Sequence, residues 1–182
     1  MRFTGELLGD RIVVFNLDEA KALYGMGFYG KPLAIAKPKS PKDIIRPLEL
    51  SLVEGLYLME QGLLDVRYQG EPMDQKNLET YATSMINKFR PLYIVYKDLK
   101  KRGFVVRSGI KFGSDFAIYT LGPGVEHAPF VVSVIDGTDQ ISVNELMSYG
   151  RVSHSTRKKL VLAIVNLHTD EIKYIMFKWV KL

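Results

Sequence analysis

At Phe104 this 182-residue chain changes texture. Upstream, apolar residues recur at helical spacing: Leu78, Tyr81, Ala82, Met85 and Phe89, then Leu92, Val95, Tyr96 and Leu99. Downstream, short β-rich runs are separated by glycine turns. The runs are Phe104–Arg107, Phe116–Thr120, Phe130–Ile135, Lys159–Asn166 and Tyr174–Val180, and Gly109, Gly113 and Gly122-Pro123-Gly124 lie between them. A hydrophobic period that passes from 3.6 to 2 excludes a pure helical bundle and a pure β-sandwich. The expectation is a mixed α/β (α+β) chain, with a small α/β domain over residues 1–85 and a second α/β domain with a mixed central sheet over 86–182. A connecting helix joins them.

Local signals fill in the plan. Arg11–Asn16 reads as a strand, and Asp18 is expected to cap a helix through Tyr24. Gly25–Pro32 reads as a glycine-rich loop. Lys37-Pro-Lys39-Ser-Pro-Lys42 alternates proline with lysine and reads as an exposed basic loop. Pro47 is placed to open a helix to about Gln61, with Gly62 just past its end. Leu63–Tyr68 is a short strand and Asp74 to about Lys88 a helix. Ser142-x-x-Glu145 has capping-box spacing and predicts a helix from Val143 to about Tyr149, stopped by Gly150.

Composition narrows the function. The chain has no cysteine, which excludes disulfide scaffolds, thiol nucleophiles and thiolate metal sites. Its longest apolar runs, such as Leu160–Val165, fall far short of a membrane span of about 20 residues. Arg2 meets Glu6 and Asp10 before any long apolar core, so no signal peptide is expected and the cytoplasm is the default location. The net charge is +5, and it is unevenly placed. Residues 1–90 carry twelve basic and twelve acidic side chains, and residues 91–182 carry thirteen and eight. A basic excess confined to one half points to a polyanion such as nucleic acid.

Three histidines are acid–base candidates, because only imidazole titrates near neutrality unperturbed. His168 precedes a hairpin turn, His154 lies among small polar residues, and His127 stands at a loop-to-strand edge. The serine-hydrolase elbow, the P-loop and the H-E-x-x-H zinc motif are all missing from the sequence. Gly25-x-Gly27-x-x-Gly30 matches a dinucleotide fingerprint literally, but it is not set between a strand and a helix. Asp115 or Asp136 with Glu171-Ile-Lys173 could hold Mg²⁺ beside a phosphate. The competing expectation makes Asp170 and Glu171 simple hairpin charges.

The segment Gly109-Ile-Lys-Phe-Gly-Ser-Asp-Phe-Ala-Ile-Tyr119 resembles a strand-and-turn motif of the archaeal tRNA-splicing endonucleases. The resemblance continues through His127, Ser155-Thr-Arg-Lys158-Lys-Leu and Tyr174-x-x-x-Phe-Lys-Trp179. It covers the second half of the chain, and the first half is compatible with the family's smaller domain. Eight positions separate Tyr119 from His127 and 31 separate His127 from Lys158, as in the family's triad.

The resemblance implies a C-terminal nuclease-like domain with a catalytic triad of Tyr119, His127 and Lys158. It implies cleavage of precursor tRNA at bulge-helix-bulge junctions, without metal or other cofactor, leaving a 2′,3′-cyclic phosphate and a 5′-hydroxyl. Tyr119 would be the base, His127 the acid, and Lys158 the charge that stabilises the phosphorane and lowers the Tyr119 pKa. If Leu160, Leu162 and Ile164 point inward, Lys158 shares their parity and Lys159 does not. Arg151, seven positions before Lys158, and Trp179 would clamp a flipped base across subunits. Lys37, Lys39 and Lys42 would touch RNA phosphates, since their loop resembles an extra loop of crenarchaeal catalytic subunits. The partner would then be a second, non-catalytic subunit in a heterotetramer, with a homotetramer as the alternative. Two other functions stay open: a Mg²⁺-dependent structure-specific nuclease and a non-catalytic RNA-binding subunit.

Overall fold

In the computed structural model, which describes residues 2–34 and 38–177, each half of the chain builds its own β-sheet. Two compact units result. One comprises Met1–Phe89 with Pro123–Val125, the other Arg90–Gly122 with Glu126–Leu182. Two mixed sheets and five helices among the described residues make this the mixed α/β chain expected from the change of period.

The first unit runs β1 (Phe3–Leu8), β2 (Arg11–Val14), α1 (Leu17–Gly27), β3 (Lys31–Pro32), β4 (Leu48–Ser51), α2 (Leu52–Glu60), β5 (Leu64–Tyr68), β6 (Glu71–Met73) and α3 (Gln75–Met85). Its six strands lie in the order β3-β4-β2-β1-β5-β6, and only β1 and β5 pair in parallel. Fully buried Ile12 anchors the packing. Gly5 and Gly55 both leave room for its side chain, so β1 and α2 approach β2 closely.

Three sequence expectations are corrected here. Asn16, not Asp18, caps α1: its side chain accepts the N–H groups of Asp18 and Glu19. That helix runs on to Gly27, into the first residues of the Gly25–Pro32 stretch read as a loop. The helix expected from Pro47 begins only at Leu52, because residues 48–51 pair with β2 instead. Ser51 and Glu54 form the capping box that marks the true start. A tertiary strand contact overrides the local proline signal at that point.

The second unit runs α4 (Phe89–Lys101), β7 (Val105–Ser108), β8 (Phe116–Tyr119), β9 (Phe130–Asp136), α5 (Val143–Thr156), β10 (Lys159–Asn166) and β11 (Glu171–Phe177). The strand order is β11-β10-β9-β8-β7. β9 and β10 are parallel and joined through α5, whereas every other pair is antiparallel. Alternation along β8 sends Ala117 and Tyr119 to one face and Phe116 and Ile118 to the other. Tyr149 and Val152 of α5 pack with the first pair, and Tyr96 of α4 meets the Phe116 ring at 5.9 Å. α5 and α4 therefore cover opposite faces of the sheet.

α5 does not stop at Gly150. It continues to Thr156 and ends at Arg157 in the left-handed region (φ +52°). Glycine weakens a helix without ending it when the flanking turns are packed, as Tyr149 and Val152 are. The last strand is described as far as Phe177, and the rest of the expected Tyr174–Val180 run lies outside the described residues.

The turn between β7 and β8 is steric to a fault. A Cβ at Gly109 would stand 2.6 and 2.7 Å from the carbonyl carbon and oxygen of Phe116. Gly109→Ala should therefore destabilise the protein by about 1–3 kcal/mol. A lowered urea midpoint of unfolding is the expected result, and an unchanged midpoint would contradict this packing.

Candidate active site

Strand register brings the three triad candidates to one end of the second sheet. Ile118 of β8 pairs with Phe130 of β9, so Tyr119 stands opposite residue 129. Lys159 of β10 also pairs with Phe130, so Lys158 stands opposite residue 129 from the other side. The Lys159 N–H donates to the Pro129 carbonyl at 3.1 Å, which fixes this end of the ladder. His127 lies two residues before Pro129 on the central strand's approach. Residues in register on neighbouring strands point to the same face. Tyr119 and Lys158 thus share the α5 face with Ala117, Val131 and Leu160, and Tyr119 is buried with those three and Ala128 in one cluster.

Lys158 is held at both ends. Its carbonyl accepts from the Ser153 hydroxyl of α5 at 2.9 Å, and the left-handed Arg157 turns the chain from helix to strand just before it. The ammonium donates to the Ala128 carbonyl at 2.8 Å, the residue after His127. It also lies 4.9 Å from the centre of the Phe112 ring. Burial, and then the nearby positive charge of Lys111, pull its pKa below the ordinary 10.5. Its neighbour Lys159 is exposed and lies over the Phe130 ring instead.

Tyr119 departs from expectation electrostatically. Burial pushes its hydroxyl above the ordinary 10.0, and the Glu126 charge adds to that push. The cation that opposes the rise is Arg107, not Lys158. Arg107 is half-buried on β7, two residues along from the Val105 that pairs with Tyr119, and so on the same face. Cross-strand parity was the sequence signal that could have found it.

Glu126 closes the loop between Tyr119 and His127. Its carboxylate accepts the N–H groups of Thr120 and Leu121 at 2.5 and 2.6 Å, and its own N–H donates to Gly122 at 3.3 Å. The seven-residue connection between two candidate reacting groups is thereby tied across its neck. Nothing in the local sequence singled this residue out beyond its place beside His127.

Other candidates lie elsewhere. Arg151 is exposed on α5, His154 is exposed near the end of that helix, and His168 is exposed in the β10–β11 turn. Lys39 and Lys42 are exposed in the first unit. There the Asp43 carboxylate accepts the N–H groups of Lys39 and Ser40 and shapes Pro41–Asp43 into a 3-10 turn. Lys37 and Trp179 lie outside the described residues. The Gly25-x-Gly27-x-x-Gly30 match is carried by the end of α1 and the segment after it, not by a strand-to-helix turn.

The carboxylates of the metal-dependent alternative do internal work. Asp115 accepts the Val134 N–H at 2.7 Å, and Asp136 accepts the N–H and hydroxyl of Thr138. Asp136 pairs with Val165 and Glu171 with Asn166, at the far end of β10 from Lys158. Seven residues of strand put those ends about 23 Å apart. Among the described residues no group of three or more His, Asp or Glu side chains is placed to hold a metal ion. No helix among them is long and apolar enough to cross a membrane.

The Glu126 tie has a pH signature. The N–H of Leu121, and also those of Thr120 and Gly122, hold its carboxyl below the ordinary 4.5 against a smaller effect of burial. A depressed carboxyl contributes stability above its unfolded pKa and loses it as pH falls through the folded one. Glu126→Gln should therefore unfold at a lower urea concentration than wild type at neutral pH. The gap should close as pH drops below 4.5 and through the lower folded value. A gap independent of pH would show that the charge is not what holds the loop.

Comparison with known proteins agrees with this architecture. The family description "tRNA intron endonuclease, catalytic C-terminal domain" matches residues 89–174, and the N-terminal domain of the same family matches residues 3–79. A tRNA-splicing endonuclease of Saccharolobus solfataricus is 55% identical over 177 residues, 97% of each chain. A tRNA-splicing endonuclease of Sulfurisphaera tokodaii is 53% identical over 178 residues, 98% of this chain and 99% of the other. With both of the family's domains matched in order and the likeness running nearly end to end, the chain belongs to the tRNA intron endonuclease family.

Proposed function

We propose that this chain is the catalytic subunit of a tRNA-splicing endonuclease, cutting precursor tRNA at bulge-helix-bulge intron junctions. The observation that carries the proposal is the register at residue 129, which sets Tyr119, Lys158 and the approach to His127 around one end of the sheet. Both relatives named above are called tRNA-splicing endonucleases, which supports the broader part of this reading.

The reaction needs no group beyond these three side chains and the RNA itself. The Tyr119 phenolate takes the proton from the 2′-hydroxyl, whose oxygen attacks the adjacent phosphorus. His127 donates its proton to the departing 5′-oxygen. The bond from phosphorus to that oxygen breaks, and the products are a 2′,3′-cyclic phosphate and a 5′-hydroxyl. The Lys158 ammonium, fixed by the Ala128 carbonyl and the Phe112 ring, stabilises the extra charge of the phosphorane. A phenol is a minor phenolate at neutral pH, burial of Tyr119 disfavours that form further, and Arg107 is the cation that favours it.

Arg151, exposed on the helix that leads into Lys158, stacks on a bulge base with Trp179 as the opposing plane. Lys37, Lys39 and Lys42 supply phosphate contacts from the first unit. The enzyme works in the cytoplasm as a heterotetramer, paired with a second subunit that lacks the triad.

Cleavage of a bulge-helix-bulge RNA in excess chelator, followed by end-group analysis, tests this directly. Cyclic-phosphate and 5′-hydroxyl ends are expected, and 5′-phosphate ends or loss of activity with chelator would reject it. His127→Ala should slow the single-turnover step by about 10²–10⁴-fold. An unaffected rate would take His127 out of the reaction, and no cleavage by wild type would leave the chain a non-catalytic RNA-binding subunit.

A further inference from the structure

Lys111 lies in the turn between β7 and β8, outside the three groups assigned to the reaction. That turn is held from within. The Gly109 N–H donates to the Asp115 carbonyl at 2.9 Å, the Phe112 N–H to Gly109 at 2.8 Å, and the Gly113 N–H to Ile110 at 2.9 Å. The buried Ser114 hydroxyl reaches the Gly109 carbonyl at 3.2 Å. Gly113 closes the turn in the left-handed region (φ +74°), which a side chain would strain. Phe112 projects from this frame onto the cluster that contains Tyr119 and Ala128. Lys111 is therefore carried on a rigid platform while its own side chain stays exposed.

The Phe112 ring is shared. The Lys111 ammonium lies 4.7 Å from its centre and the Lys158 ammonium 4.9 Å. The two charges can be no farther apart than those distances together allow. The ring quadrupole attracts both, but they repel each other. Their mutual effect is visible in Lys158, whose pKa Lys111 helps to lower. Among the described residues neither ammonium is paired with a carboxylate; the Lys158 partner is a neutral carbonyl. Two cations beside one ring, neither paired with a carboxylate among the described residues, form an arrangement that an incoming polyanion relieves. A side chain whose purpose was only to cover the surface would need no such fixed frame.

We propose that Lys111 is a second phosphate-binding cation of the active site, gripping an RNA backbone phosphate next to the one that Lys158 serves. The proposal rests on the chain acting as an RNA-cutting nuclease, and it adds a residue to that site.

Salt dependence separates a phosphate contact from a structural one. Binding of a bulge-helix-bulge RNA with 2′-deoxy residues at the cleavage positions, which cannot be cut, is measured across a salt series. Wild type is compared with Lys111→Ala, Lys111→Arg and, as a control for net charge, Lys76→Ala on the exposed surface of α3. Each phosphate contact contributes about 0.7–0.9 to the slope of log affinity against log salt. Lys111→Ala should reduce the slope by about that much and weaken binding several-fold at low salt. Lys111→Arg should restore most of both, and Lys76→Ala should change neither. Lys111→Met, which keeps the stem against Phe112, answers the same question if the alanine variant does not fold. Wild-type slope and affinity in Lys111→Ala, with wild-type enzyme still cutting the all-ribose RNA, would overturn this proposal alone. Failure of wild type to bind or cut that RNA would overturn the functional assignment and this proposal with it.

Discussion

The parallel pairing of β9 with β10 is the constraint on which the site depends. A strand pair admits only discrete registers, and a slip of one residue would send Lys158 to the opposite face. The register is pinned from several directions. α5 spans the crossover between the two strands, Ser153 grips the Lys158 carbonyl, and the Lys159 N–H bonds to Pro129. Antiparallel β8 then needs no adjustment to bring Tyr119 to the same level. Two of the candidate reacting groups lie eight positions apart and the third 31 positions further on, and each lies at or near a strand end. The sheet fixes the backbone at these positions, and the Ala128 carbonyl and the Phe112 ring hold the Lys158 side chain.

The electrostatics of that site pull in two directions. A phosphoryl-transfer site gains from excluding water, because charges then interact more strongly. The same burial disfavours the phenolate of Tyr119 and the ammonium of Lys158. At both groups burial therefore works against the ionised form that suits the transition state. Arg107 opposes this effect at Tyr119, and in the proposed reaction the RNA phosphates would oppose it at Lys158. Glu126, just outside, is held by the backbone N–H groups of Thr120 and Leu121, and its charge adds to the rise at Tyr119.

Much of the second domain was legible in the sequence, for a physical reason. β10 and β9 are apolar and β-branched, their boundaries fall at charged or turn residues, and the capping box at Ser142 announces α5. Parity with Leu160 puts Lys158, and not Lys159, on the face that α5 covers. The misreadings came where local chemistry was outweighed from afar. Leu48–Ser51 follows a proline that suits a helix start, but its backbone groups are taken by β2. Gly150 suits a helix end, but packing of its neighbours carries the helix past it. Arg107, Phe112 and Glu126 act through contacts across strands and turns, so no single-stretch motif marks them.

The most direct test of the convergence is a crystal structure of the assembled enzyme with an uncleaved 2′-deoxy bulge-helix-bulge RNA. The account requires one phosphorus atom at the β8–β9–β10 end of the sheet. Its oxygens would lie within hydrogen-bond reach of the Lys158 ammonium, its 5′-oxygen would face His127, and its 2′ position would face the Tyr119 hydroxyl. A scissile phosphate seated instead at the opposite end, against Asp136 and Glu171, would contradict it.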